Sequence, residues 1–291
     1  MTSKSHSYRH LQISPLTTNI GAEIRCGRLT DISQDIAREL YLAMVEFKVI
    51  FIRDQALDEL QLCKFSKNFG SLMQLPYIKP LENFNHIIAV LKEADEINMG
   101  VFGGDWHSDF SFFEEPPMAS VLYSLEIPDV GGDTVWVNMA AAYRALPKRT
   151  KRFLKGRTVI HTGTPYGVAN APDPDIQFKG SIDIERNNPE ADRETPHPAV
   201  CRHPDSGEEI LFVSPTYTTR FGDMSQQESE PILKDLFGHC TRPEFSCRFR
   251  WSANTVAVWD NRSTIHYAVN DYDGHRRLMY RTAIKGDRPV A

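Results

Sequence analysis

The sequence predicts an α+β protein with a mainly β core, a sandwich or jelly roll with flanking helices. Helical periodicity is confined to a few stretches, two of them within the first seventy residues. From about residue 119 the chain becomes a series of short β-branched and aromatic runs separated by turn formers. Between them lies a long segment, 163–199, rich in Pro, Gly, Asn and Asp. A loop of that length inside a compact domain is usually functional, and an active-site lid is the expectation.

Taken in order, "DISQDIARELYLAMVEF" places Ile36, Leu40, Ala43, Met44 and Phe47 on one helical face. "KVIFIRDQ" follows as a short buried strand. "LDELQLCKFSKNFG" predicts a second helix, with Asp58 at its start and Gly70 at its end. The strands expected next are "ASVLYSL", "DTVWVN", "GRTVIHT", "EILFVS", "FSCRFRW", "TVAVWD" and "RLMYRTAI". Two helices interrupt them, one near 139–155 and one near 225–238 that opens at Ser225. No repeat or low-complexity linker divides the chain, so 1–291 is read as one domain.

A net charge of −5 offers no general surface for nucleic acid or a membrane, although a local basic pocket for a small anion is compatible with it. The five cysteines are scattered without a CxxC pair, which argues against a disulfide framework or a cysteine zinc site. With no apolar run of membrane-spanning length and no signal-like N-terminus, the expectation is a soluble, cytoplasmic protein.

Two His-X-Asp pairs stand out. With 10 histidines and 20 aspartates in 291 residues, composition alone produces on the order of one such pair, so context must separate them. His203-Pro204-Asp205 precedes Ser-Gly and a strand, which predicts the solvent-facing tip of a hairpin. His107-Ser108-Asp109 enters "WHSDFSFF", which alternates aromatic and polar residues. In an extended chain, positions i and i+2 share a face, so an imidazole and a carboxylate could meet one ion there. A core histidine bonded to a neighbouring carboxylate is the competing reading, and these residues alone do not decide between them.

The C-terminal segment adds His266 after the strand that ends in Trp259-Asp260, then Arg277 and Arg281 on one face of a later strand. Two same-face arginines on an apolar strand are costly to bury without anions, which guanidinium binds through paired hydrogen bonds. Two exposed edge-strand arginines are the alternative.

"WHSDFSFFEEPP", "VGGDTVWVNMAAAYRALP", "LFVSPTYTTRF" and "WDNRSTIHYAVNDYDGHRRLMYRTAIKGDRP" together resemble the TauD/TfdA family of Fe(II)- and 2-oxoglutarate-dependent dioxygenases. The resemblance runs in order from about residue 11 to 289. It implies a double-stranded β-helix, Fe(II) held by His107, Asp109 and His266, and 2-oxoglutarate held by Thr134 and Arg277. O2 would be the oxidant, and the products would be a hydroxylated small organic molecule, succinate and CO2. Cleavage follows where the hydroxylated carbon carries a heteroatom leaving group. Arg281 would meet an anion on the substrate or support the cosubstrate. A dimer or tetramer is also implied. A zinc hydrolase or a non-catalytic jelly-roll binder with the same three ligands would leave Thr134 and Arg277 without a task.

The chain departs from the family's taurine enzyme along the wall that the resemblance implies for the substrate. "LPYIKP" stands where that enzyme has a His and a Tyr, Gly103 where it has an Asn, and Tyr217 where a Phe is expected. These changes remove polar partners for taurine. They leave Tyr77, Phe102, Gly103 and Tyr217 as candidate wall residues for a larger or more apolar substrate.

Overall fold

A computed structural model describes residues 7–168 and 180–291. The first layer begins with the hairpin of β1 (Gln12–Pro15) and β2 (Ala22–Arg25), then α1 (Gln34–Phe47) and β3 (Val49–Ile52). Ser33 caps α1 by accepting a bond from the Ile36 amide, while Leu40, Ala43 and Met44 are buried on its inner face. Next is α2 (Glu59–Ser66), opened by a reciprocal Asp58–Gln61 capping box, the kind of cap that contributes about 1 kcal/mol. Short β4 (Leu72–Met73) and β5 (Ile88–Lys92) lead to the long β6 (Ala119–Glu126).

β7 (Thr134–Asn138) runs into α3 (Met139–Ala145) and α4 (Lys148–Leu154). The single helix expected over 139–155 is therefore two. Pro147 has no amide hydrogen and disfavours helix in the residue before it, and Leu146 is extended at ψ 144°. β8 (Thr158–His161), β9 (Thr195–Pro198), and the hairpin of β10 (Val200–Arg202) and β11 (Glu209–Leu211) follow. β12 (Thr218–Phe221), α5 (Gln226–Cys240), β13 (Ser246–Phe249), β14 (Val256–Asp260), β15 (Thr264–Ala268) and β16 (Arg277–Ile284) complete the chain.

The major sheet has the order β1-β2-β3-β14-β6-β16-β4, with β5 also pairing β16. Facing it are the smaller sheets β13-β7-β15 and β12-β8-β9. The period of two sorts the central strands onto two buried faces. Ile50, Ile52, Val121, Tyr123, Val256 and Val258 pack outward against α1 and α2. Val49, Phe51, Leu122, Ala257, Trp259 and Met279 pack inward with Trp136 and Phe249 of the opposing sheet. Phe51 and Phe249 stack across the gap, with ring centroids 3.7 Å apart. Val137 and Ile265 face the other way, into a cluster with α3 and α5. The result is a jelly-roll sandwich covered by helices on both outer faces.

Parts of 163–199 are ordered structure rather than loop. Thr195–Pro198 is a strand of a three-stranded sheet, and 164–166 and 189–192 are single 3₁₀ turns. Residues 169–179, the middle of the expected lid, lie outside the described residues. Among the described residues no helix is long and apolar enough to cross a membrane.

Candidate active site

His107, Asp109 and His266 come together at one mouth of the sandwich, each with a ligand atom within 4.8 Å of the others. An isolated antiparallel bridge does this. The His107 amide donates to the His266 carbonyl at 3.0 Å, and the His266 amide donates to the His107 carbonyl at 2.7 Å. Only His107 is extended. Residues 109–114 turn rather than continuing a strand, and Phe110 sits at φ 47°. The expected alternation therefore fails after the first residue, but the turn still brings Asp109 beneath both imidazoles.

The donor chemistry follows from hydrogen bonds around the site. His107 Nδ1 lies 2.7 Å from the Asp105 carbonyl, which can only accept, so Nδ1 carries a proton and Nε2 is the ring nitrogen left to face the site. That Nε2 and His266 Nε2 lie 3.3 and 3.5 Å from Asp109 Oδ1. Among the described residues Oδ1 has no hydrogen-bond partner. Burial and the nearby His107 hold His266 well below its ordinary pKa, so it is a neutral imidazole. Burial alone would raise the Asp109 pKa, but the Arg281 guanidinium outweighs it and keeps the carboxyl ionised. Two imidazole nitrogens and an ionised carboxylate oxygen converging in a buried site are a donor set for a divalent cation. The residues fit a metal ion.

The rest of the carboxylate is tied down. Ser120 Oγ donates to Asp109 Oδ2 at 2.7 Å, and Arg281 Nη2 lies 2.5 Å from it. Asn261 brackets the Asp109 backbone: its Oδ1 accepts from the Asp109 amide (2.7 Å), and its Nδ2 donates to the Asp109 carbonyl (2.9 Å). Motif reading had not singled out Ser120 or Asn261. Asn261 stood in plain view, in the turn after Trp259-Asp260, but nothing there pointed toward residue 109.

Beside the triad a cavity of about 410 Å³ is lined by Thr134, Trp136, Trp259, His266, Arg277 and Arg281, among others. Arg277 is 3 % exposed, yet its Nε and Nη2 have no partner among the described residues. Burial pulls its pKa down, opposed in part by Tyr272 and Asp133. Gly132 makes room for it: at φ +67°, a Cβ there would stand 3.2 Å from Arg277 Cδ. Thr134 Oγ1 accepts from Trp251 Nε1 at 3.0 Å, which leaves its own proton to donate into the cavity. A buried guanidinium with two unsatisfied nitrogens beside a hydroxyl donor is a site for a carboxylate. The edge-strand alternative does not hold, since β16 runs between β6 and β5.

A second cavity of about 980 Å³ opens on the other side of His107 and Asp109. Phe102, Gly103, Tyr217 and Arg281 line it as expected, joined by Tyr166 and Arg186, which motif reading had missed. Tyr77 does not. Its backbone at φ 70° lays the ring behind the wall, stacked on Tyr166 at 5.1 Å. Gly103 has a local reason to lack a side chain: at φ +74°, a Cβ would press to 3.1 Å from His107 Cε1.

His203 is a correction. The hairpin is there, but His203 is 2 % exposed and its Nε2 lies 2.8 Å from Asp260 Oδ2. Asp205 alone is at the exposed tip, where its carboxylate accepts from Tyr41 and pairs with Arg262. The Pro-Asp-Ser-Gly turn predicted the reversal correctly but could not reveal that its first residue points inward, to the end of β14.

The model of the taurine catabolism dioxygenase TauD, TfdA family matches residues 12–283. The chain belongs to the TauD/TfdA family. It is 35% identical to an alpha-ketoglutarate-dependent sulfate ester dioxygenase of Pseudomonas putida over 96% of this chain and 91% of that protein. An alkylsulfatase of Acinetobacter baylyi is 32% identical over 96% of this chain and 86% of its own length. Among solved structures, a taurine dioxygenase from Burkholderia xenovorans superposes with a TM-score of 0.81 at 32% identity, covering 97% and 93% of the two chains. This TauD/TfdA chain is accordingly an Fe(II)- and 2-oxoglutarate-dependent dioxygenase.

Proposed function

We propose that His107, Asp109 and His266 hold the iron, and that Thr134 and Arg277 bind the distal carboxylate of 2-oxoglutarate. The larger cavity then receives a small anionic organic substrate. The observation that carries this reading is that, among the described residues, Asp109 Oδ1 lies unpartnered between two imidazoles and Arg277 Nε and Nη2 lie unpartnered one cavity away. With 2-oxoglutarate and O2, the bound Fe(II) supplies the oxidising power that replaces a C–H hydrogen by hydroxyl while succinate and CO2 are formed.

The chain's own residues position the reactants and keep water out. Asn261 fixes the backbone that carries Asp109, and the His107–His266 bridge fixes the two imidazoles relative to each other. Phe110, Tyr166 and Tyr217 are each 5 % exposed or less and form a dry wall over the triad. Burial and the Tyr166 hydroxyl hold the Tyr217 hydroxyl well above its ordinary pKa, so it stays a neutral hydrogen-bonding group.

Support for an anionic substrate comes from Arg186 and Arg281 on the cavity wall, and from relatives named for sulfate esters. If the carbon attacked bears the ester oxygen, hydroxylation gives a hemiacetal-like product that falls apart into an aldehyde and sulfate. Assembly into a dimer or tetramer and a cytoplasmic location belong to the same reading. The test is a panel of alkyl sulfates, alkanesulfonates, aryloxyalkanoates and their uncharged alcohols, scored by substrate-dependent succinate release. Turnover concentrated among the sulfates or sulfonates supports the proposal. Turnover of only neutral or zwitterionic compounds would remove the anion from it.

A further inference from the structure

Arg277 and Arg281 lie four residues apart on one face of β16 and are nearly equally buried, at 3 % and 4 % exposure. Their surroundings differ. Among the described residues Nε of both is unpartnered, and Arg277 leaves Nη2 unpartnered as well, whereas Arg281 Nη2 is committed to Asp109 Oδ2 at 2.5 Å and to Ser120 Oγ at 3.2 Å. Ser120 in turn donates to the same Oδ2, which closes a triangle of three buried groups. The sheet register builds this triangle: Ser120 on β6 stands opposite Trp259 on β14 and Ala283 on β16, two residues from Arg281. The Arg281 guanidinium also lies 5.7 Å from the Trp259 ring centroid, a cation–π contact that steadies the fork.

We infer that Arg281 and Ser120 are positioning residues for the metal's carboxylate, occupying Asp109 Oδ2 so that Asp109 meets the ion through Oδ1 alone. The inference rests on the iron reading above. Its physical content is a matter of counting lone pairs. A free carboxylate can use both oxygens on one cation, and a carboxylate that took two positions would consume one needed by the cosubstrate or by dioxygen. With Oδ2 accepting a hydroxyl proton and a guanidinium N–H, rotation into a two-oxygen mode must break both bonds inside a buried site. The third neighbour, Asn261, holds the backbone and leaves the carboxylate plane to Arg281 and Ser120. In this view the two arginines of one strand have separate tasks. One awaits an anion that arrives with the reaction, and the other spends Nη2 on the metal's carboxylate while it still lines the larger cavity.

The test needs no substrate. Full-length wild type, Arg281→Gln and Ser120→Ala are loaded anaerobically with Fe(II) and 2-oxoglutarate for ligand-field spectra, and with Mn(II) for crystallography. Wild type should show Asp109 bound through Oδ1 only. In Arg281→Gln the carboxylate should shift to two-oxygen coordination, with displaced ligand-field bands. Ser120→Ala, which removes one hydroxyl, should displace the same bands by less, and it keeps the test open if Arg281→Gln does not fold. One-oxygen coordination and unchanged bands in both variants would overturn the inference and leave Arg281 as a substrate residue only. Wild type that takes up no metal would overturn the iron reading itself, so the two failures are distinguishable.

Discussion

Two His-X-Asp segments lie in this molecule, and they differ in what their polar atoms have left to bind. At the second, both imidazole nitrogens are spent. His203 Nε2 meets Asp260 Oδ2, and its Nδ1 accepts from the amides of Asp205 and Ser206 at 3.2 and 3.1 Å. The Asp205 carboxylate turns away to the Tyr41 hydroxyl and Arg262. At the first, His107 Nδ1 is spent on a carbonyl, but Nε2 and Asp109 Oδ1 face each other 3.3 Å apart, and Oδ1 has no hydrogen-bond partner among the described residues. Both histidines are buried and each segment runs into a turn. What separates a metal site from a structural one is unused donor capacity, and among the described residues only the first pair has a third donor, His266, aimed at the same point.

Variants can break this comparison, and the largest effect is expected at the first pair. His107→Ala should abolish stoichiometric Fe(II) uptake, read by metal analysis after gel filtration, and succinate formation should fall to background. Arg277→Ala should leave metal uptake intact while raising the 2-oxoglutarate concentration needed for half-saturation by on the order of 100-fold, since truncating one partner of a buried charge pair costs at least about 2 kcal/mol. His203→Ala should keep both metal and cosubstrate and lose instead about 2 kcal/mol of stability in urea unfolding, the cost of one buried hydrogen bond to a charged group. Metal loss in that last variant would mean the two segments had been assigned the wrong way round.

A third buried histidine sharpens the contrast at smaller amplitude. His161 is 0 % exposed and hydrogen-bonds Ser111 Oγ and Thr218 Oγ1, each at 3.0 Å. Burial, reinforced by His197, lowers its pKa to about 3. Because the folded value lies below the unfolded one, near 6.5, its contribution is fully present above pH 6.5 and is lost as pH falls toward 3. His161→Gln should flatten the acid slope of stability across that window; an unchanged slope would remove His161 from the account.

Much of this was legible in the residues. The strands with strong β-branched and aromatic runs are where "DTVWVN", "TVAVWD" and "RLMYRTAI" placed them, because burial on both faces leaves little other choice. The proposed metal donors, Thr134 and Arg277 were visible as motif members once His266 and the arginine strand joined the His107 pair. What remained hidden depends on distances across the chain. Ser120 meets Asp109 because of the β6–β14 register, and Arg186 reaches the cavity because the backbone of 184–185 pairs with 77–78. His203 was misplaced for the same reason: a turn motif describes the reversal of the backbone and says nothing about the Asp260 partner 57 residues away.

The central claim, an iron and 2-oxoglutarate site built from His107, Asp109, His266 and Arg277, has one direct measurement. Fe(II) and 2-oxoglutarate are added without oxygen while the weak visible metal-to-ligand charge-transfer band of the chelate is followed. The account predicts the band in wild type and in His203→Ala, its absence in His107→Ala, and its recovery in Arg277→Ala only at much higher cosubstrate. A folded, metal-loaded wild type that shows no such band would contradict it.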